Sequence, residues 1–434
     1  MTTDVLQLDR LFENSRSAAV RLLRLATFVL IVFARPPVQA QTFTVLHNFV
    51  GQEGAVPLAG LILDRTGNHL YGAAEYGGNS FGTVFRLTRS GSNWTFSQLY
   101  SFRGGSDGAG PIATPIIGPD GAIYGTTAGG GMGRCIDDSF QGCGTIFRLT
   151  PPATACLSSS CPWTETTLYR FSGGSDGSYP TYGNLAFDQT GNLYGTASYG
   201  SNQTCTGGCG VVFKLTHSGG TWTYSVLYSF TGADDGGNPY GGPVLDSFGS
   251  LYGATSSAGF YGAGTIYDLV VSSGGYIQNT IYSFTGRDDG CCPLSGMIFD
   301  RLGTLYGTAW LGGANGSGTA YSMTPSLGNW TFNVLYSFPS SDLNGPTSTL
   351  VMDSAGNLYG TTLGSYRGPN YGTVFKLTLS NGNWIESDLH DFTGGNDGSN
   401  PLGGMLAVDA SGNVYGTAQG GGTHGQGVVF KIAP

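Results

Sequence analysis

Charge is scarce in this chain: only 10% of its 434 residues are Asp, Glu, Lys or Arg, against roughly 25% in an average domain. Disorder is excluded, because disordered chains are charge-rich and apolar-poor, whereas here 40% of residues are hydrophobic and 12% aromatic. The Lys, Glu and Ala background of helical proteins is missing, and 75 Gly weaken helices, so a helical bundle is excluded. No Gly-x-Ser-x-Gly elbow, His-Glu-x-x-His segment or phosphate loop is expected. Beyond residue 40 no segment is apolar enough to span a bilayer. What remains is an all-β protein with many tight turns, which the Gly and 19 Pro supply.

The N-terminus reads as a secretory signal. Arg16, Arg21 and Arg24 precede the uncharged run from Leu25 to Ala34, and Val38 and Ala40 are the small residues a signal peptidase reads. Cleavage gives a signal peptide of residues 1–40 and a mature chain of 41–434, with a retained signal anchor as the alternative. Residues 1–40 hold five Arg and three acids, so the mature chain carries 13 basic and 24 acidic residues, net −11. Nucleic acid and anionic lipid are poor partners for such a surface.

The Cys are even in number and all mature: Cys135, Cys143, Cys156, Cys161, Cys205, Cys209, Cys291 and Cys292. In an exported chain this suggests disulfides, and the short separations favour 135–143, 156–161, 205–209 and a vicinal 291–292 pair. A metal site is the rival, but no His stands near these Cys at finger-like spacing.

Internal repetition fixes the architecture. Leu-Tyr-Gly or a close variant recurs at Tyr71, Tyr124, Tyr194, Tyr252, Tyr306, Tyr359 and Tyr415, at intervals of 53, 70, 58, 54, 53 and 56 residues. Each unit holds four short β-rich runs. In the first they are strand a (Pro57 to Asp64), b (Asn68 to Glu75), c (Gly82 to Arg89) and d (Trp94 to Phe102). The Asp64-Arg65-Thr66-Gly67-Asn68 turn joins a to b as a hairpin. Four-stranded units of this length in tandem signal a β-propeller. There are seven a-b-c sets, and seven d strands only if Thr42 to Phe49 is counted; the last c strand, Val428 to Ile432, has no d strand after it. A seven-bladed ring therefore forms in which the N-terminal strand completes the last blade, leaving no open edge. Gly60, Gly183, Gly241, Gly242, Gly296, Gly403 and Gly404 fall in the a strands, where blades crowd the axis. Trp94, Trp163, Trp222, Trp330 and Trp384 begin d strands, where a large ring can wedge between blades.

Phe-x-Gly-Gly-x-Asp-Gly-x-x-Pro, Asp-x-x-Gly-Asn-Leu-Tyr-Gly-Thr and Gly-Thr-Val-Phe-Lys-Leu-Thr resemble the GloVer (Gloeobacter/Verrucomicrobia-type) tandem repeat of exported bacterial proteins, over about residues 42 to 434. The resemblance implies export and a propeller-like fold and adds little chemistry. Members often carry a C-terminal anchoring segment; here Pro434 directly follows a strand, so no anchor of that kind is expected.

Hairpin parity puts the d-to-a and b-to-c loops on one face. Its d-to-a loops carry Asp107, Asp176, Asp235, Asp289 and Asp397, each followed by Gly, with Glu53 and Asp342 at nearby places in the other two. Such a ring could bind Ca²⁺ or a polyol at the axial mouth; equally, each Asp could close an Asx turn of its own loop. The b-to-c loops vary most. They and the second blade's c-to-d insertion hold six of the Cys, and Tyr76, Phe81, Tyr199, Phe260, Tyr261, Tyr366 and Tyr371 in the b-to-c loops could stack on sugar rings or cover blade edges. The five His fall at non-equivalent repeat positions. The reading is a secreted or cell-surface, periplasmic or extracellular monomeric scaffold without catalysis. It would bind carbohydrate, a surface polymer or protein through variable loops. The alternative is an exported polysaccharide hydrolase or lyase using carboxylates at the axial mouth.

Overall fold

The Asp turn shows how one repeat folds. Asp188, Asp246, Asp300, Asp353 and Asp409 each accept, on one carboxylate oxygen, the backbone amides two and four residues on, at 2.8–3.0 Å. The other oxygen accepts the hydroxyl of the Leu-Tyr-Gly tyrosine, as from Tyr359 to Asp353 at 2.9 Å. One side chain thus closes the turn and ties it to strand b. In the second repeat Gly118 takes the Asp place, and Asp120 bonds Tyr124 (3.0 Å) and Arg148 (2.6 Å) instead.

The computed structural model describes residues 41–135, 140–152, 163–340, 344–364, 370–402 and 404–434. The expected signal peptide (residues 1–40), Cys156, Cys161, Asp342, Tyr366 and Gly403 lie outside the described residues. Seven antiparallel sheets form a seven-bladed propeller. Blade 1 is Ile62–Leu63, His69–Ala74, Thr83–Ser90 and Asn93–Ser101 in order. Blades 2 to 5 repeat it, and blade 6 adds a short strand, Asn344–Pro346. In blade 7 the strand Thr42–Asn48 lies beside Val428–Ala433, outside Val414–Ala418 and Ala407–Val408, so the chain's leading strand closes the ring.

Strand a is much shorter than the expected run from Pro57 to Asp64: only Ile62–Leu63 pairs. The preceding residues meet the neighbouring blades at the axis instead. A Cβ on Gly60 would stand 2.2 Å from the Met405 backbone, and one on Gly242 would stand 1.9 Å from the Asn184 carbonyl oxygen. The expected glycines therefore do mark close approach, but just before the strand.

The core lies between blades. Each of the seven seams has one apolar cluster drawn from two adjacent blades, such as Phe49, Leu61, Phe85 and Tyr415 between blades 7 and 1. Each d strand runs into a buried Phe that meets the strand c aromatic of the next blade edge-to-face, as in Phe102–Phe147 (5.1 Å) and Phe230–Tyr267 (5.0 Å). The Trp rings wedge as expected: Trp94, Trp163, Trp222, Trp330 and Trp384 each pack edge-on against the Leu-Tyr-Gly tyrosine of the preceding blade. Among the described residues no helix is long and apolar enough to cross a membrane.

Candidate binding site at the axial mouth

The d-to-a and b-to-c loops share one face, where they pair through bridges such as Ala55 to Tyr76 and Ser178 to Tyr199. Val56, Tyr179, Asn238, Cys292 and Asn400, each just before a Pro, adopt left-handed backbone (φ 51° to 60°). Their amides reach back to a carbonyl in the b-to-c loop of the preceding blade, as from Tyr179 to Cys143 (3.0 Å) and Asn238 to Cys209 (2.8 Å). This conformation is unfavourable for a β-branched or bulky residue and persists because both neighbours hold it. It carries the chain inward from the rim to the axis.

The axis itself is closed. Asn184 Nδ2 and Met405 Sδ, from blades 3 and 7, stand 4.0 Å apart, and Thr114 Oγ1 accepts the amides of Gly60 (3.0 Å) and Met405 (3.4 Å). Above this plug Leu58, Ile112 and Ala128 form a small cluster with Val56, Tyr182 and Leu402 packed on it. That cluster contributes Leu58, Ile112, Ala128 and Tyr182 to a cavity of about 1150 Å³. Tyr179, Tyr199 and Tyr240 also line it. Tyr199 and Tyr240 touch through their hydroxyls and pack edge-on with centroids 6.0 Å apart, while Tyr182 lies 6.3 Å from Tyr240. Burial and the Tyr199 hydroxyl push the Tyr240 phenol well above its ordinary value, so it stays a neutral hydrogen-bonding group.

Disulfides order the cavity wall. Cys135–Cys143 and Cys205–Cys209 are bonded as expected, and Cys135 and Cys205 line the cavity. The Asn238 amide nitrogen donates to Ser198 O and Gly208 O, both at 3.0 Å, fastening the blade 3 loop to blade 4. The vicinal Cys291–Cys292 pair is also bonded, in the d-to-a loop before blade 5.

The five loop aspartates stand elsewhere. None lines the cavity. Asp107, Asp176, Asp235 and Asp289 accept the hydroxyls of Tyr100, Tyr169, Tyr228 and Tyr282, near the end of the outer strand d, at 2.8–3.0 Å. Each also accepts a backbone amide of its own loop. Asp397 accepts from His390 Nε2 (3.0 Å) and Thr393 N (2.9 Å). Burial raises the carboxyls of Asp289 and Asp397, but bonds from Thr285 and Thr393 outweigh it and hold both below the usual range. Among the described residues no three His, Cys, Asp or Glu stand together to hold a metal ion.

Two readings of the sequence need correction. His47 and His390 are repeat-equivalent, not scattered: both occupy the place of Tyr100 in strand d, and each bonds the acid of the loop that follows, Glu53 (2.8 Å) and Asp397 (3.0 Å). The Gly-x-Ser-x-Gly pattern does occur, at Gly78–Gly82, Gly104–Gly108 and Gly173–Gly177, but in loops that open no α-helix, so it forms no nucleophile elbow. Sequence reasoning found Tyr199 and missed Tyr179, Tyr182 and Tyr240. The available signal was tyrosine beside the repeated Pro in blades 3 and 4 only, where other blades carry Val56 and Leu58 or Gly110 and Ile112.

Comparison with known families gives one match, the Gloeobacter/Verrucomicrobia repeat, over residues 31–242, 133–364 and 303–434. The chain belongs to this repeat family. No curated protein matches it. Among solved structures, this repeat protein is similar to a putative 6-phosphogluconolactonase from Bacteroides uniformis. The identity is 13% and the TM-score 0.51, over 83% of this chain and 88% of that one. An ulvan lyase of a new polysaccharide lyase family is similar at 11% identity and TM-score 0.45, over 88% and 94% of the two chains. PorZ, a surface component of the type-IX secretion system of Porphyromonas gingivalis, is similar at 16% identity and TM-score 0.46, over 90% of this chain and 48% of that one. At such identities the likeness concerns the fold alone.

Proposed function

We propose that this is an exported scaffold that binds a glycan in the axial cavity of its loop face, with tyrosine rings of blades 3 and 4 as the contact surface. One observation carries the reading: Tyr179, Tyr182, Tyr199 and Tyr240 converge on a single cavity of about 1150 Å³. Concave sites with an apolar floor and a few fixed polar groups are the usual form of ligand sites, and aromatic rings offer a rigid apolar face with a polar edge. Export rests on the signal-like residues 1–40 and the loop disulfides, which persist in oxidising compartments. The loop aspartates enter as posts that hold the d-to-a loops in place.

The test is a glycan and polysaccharide binding screen on the mature protein and on Tyr182→Ala and Tyr240→Ala, with product analysis of any ligand found. Binding by the mature protein that falls at least about tenfold in both variants, which remain folded, supports the reading. Binding unaffected by either substitution overturns the site. Turnover of a polymer replaces the scaffold with a hydrolase or lyase.

A further inference from the structure

The described lining of the cavity carries almost no charge, and it is selective in a way that overall composition does not show. Among the described lining residues Glu75 is the one ionisable acid, and none is Lys or Arg. The polar groups are otherwise neutral: tyrosine hydroxyls, Ser178, Thr181, Gln203, Thr204 and Asn238. From these observations we infer that the ligand is a neutral saccharide, and that the site rejects uronate and sulfated chains. This rests on the glycan reading above and narrows it to one chemical class.

The selection is electrostatic. A carboxylate or sulfate on the ligand must lose water on entering a cleft floored by Leu58, Ile112 and Tyr182. Such a group is tolerated only where a cation or several aimed donors replace that water. Bidentate arginine is the usual device for planar anions, and no guanidinium among the described residues lines the cavity. Glu75 adds a like charge, and the mature surface, at net −11 by formal count, repels polyanions on approach. A sugar hydroxyl meets no such cost: it exchanges hydrogen bonds with water for bonds with Gln203 or a tyrosine hydroxyl. The discrimination therefore comes from what the cleft lacks for an anion as well as from what it offers a neutral ring.

Two probe sets separate this inference from the reading beneath it. The first is neutral hexasaccharides: cellohexaose, laminarihexaose, xylohexaose and mannohexaose. The second is the galacturonic acid hexamer and its fully methyl-esterified form, which share one backbone and differ in charge. Calorimetry on the mature protein at low and at physiological salt is expected to show binding of at least one neutral probe. The acid hexamer should bind at least about tenfold more weakly than that probe and than its own ester. Glu75→Gln should narrow the gap between ester and acid several-fold. An acid hexamer that binds as tightly as its ester, or more tightly than every neutral probe, overturns the neutral-ligand inference while leaving glycan binding standing. Failure of every saccharide to bind overturns the glycan reading and this inference with it.

Discussion

Phe49, just past the N-terminal strand, meets Phe85 of blade 1 edge-to-face, ring centroids 5.3 Å apart, in the same relationship that joins Phe338 to Phe375 at 4.9 Å inside the continuous chain. The non-covalent seam is thus built like a covalently bracketed one. Both flanks of the closing strand are also stacked, Phe43 on His390 (3.7 Å) and His47 on Phe96 (4.1 Å).

Phe49→Ala should therefore cost about as much as Phe230→Ala in mid-chain, about 3–5 kcal/mol each, through the lost ring and the cavity left behind. Chemical denaturation of the two variants measures this. A cost for Phe49→Ala below about 1 kcal/mol would show that the seam does not carry the fold.

Tyr267 and Tyr321 stand where other blades have Phe, and each hydroxyl is fully buried without a hydrogen-bond partner. Burial alone pushes both phenols above their ordinary value. Replacement by Phe should leave stability unchanged or raise it by about 1–2 kcal/mol, since a desolvated unpaired group is removed. Tyr228→Phe should lower stability, because its hydroxyl bonds Asp235 at 2.8 Å. Thermal unfolding of the three variants distinguishes these signs.

Asp188, Asp353 and Asp409 are raised by burial, but hydrogen bonds from Asn192, Asn357 and Asn413 and from backbone amides bring all three below the usual carboxylate range. A carboxyl depressed in the folded state stabilises it above the unfolded pKa, near 3.9, and that stability is lost as pH falls through the folded value. Urea midpoints should drop from pH 5 towards pH 3, and Asp409→Asn should flatten the slope. A parallel slope in the variant would remove Asp409 from the effect.

His47 acts in the same direction at higher pH. Burial lowers it, and the pull of Glu53 only partly offsets this, so the unfolded chain takes up the proton more readily. Stability from neutral His47 is present above the unfolded pKa of about 6.5 and is lost as pH falls below it. His47→Tyr restores the residue found at this place in five blades, Tyr100 among them, and should remove the loss between pH 7 and pH 5.5. Denaturation curves at the two pH values decide it.

Reduction should affect the cavity before the fold. Cys135–Cys143 and Cys205–Cys209 close short loops in the wall, while the seams that hold the ring contain no inter-blade disulfide among the described residues. With dithiothreitol, saccharide binding is expected to weaken while circular dichroism retains the β spectrum. Simultaneous loss of both signals would place the disulfides in the fold itself.

The ring was legible because its signal is arithmetic. Seven tyrosine repeats, a d strand ahead of the first a strand and none after the last c strand leave one closed solution. The Trp wedges and three of the Cys pairings followed from position alone. Strand a is shorter than its sequence suggests because the residues from Pro57 to Leu61 have strand-like apolar character, while the packing of Gly60 against Gly404 and Met405 sets in only when the seventh blade stands beside the first.

The sequence by itself determined the blade count, the closure and the turn chemistry, since these depend on local hydrogen bonding and on a repeat that any reader can align. Only the tertiary structure decided which face residues meet. Asp107 and Asp397 are bonded by Tyr100 and His390 of the outer strands, away from the cavity lining, while Tyr182 and Tyr240, 58 positions apart, line one cleft. The reason is geometric: a propeller brings equivalent loops round to one axis, and whether a side chain reaches that axis depends on the direction its loop takes inward, which the repeat pattern does not encode.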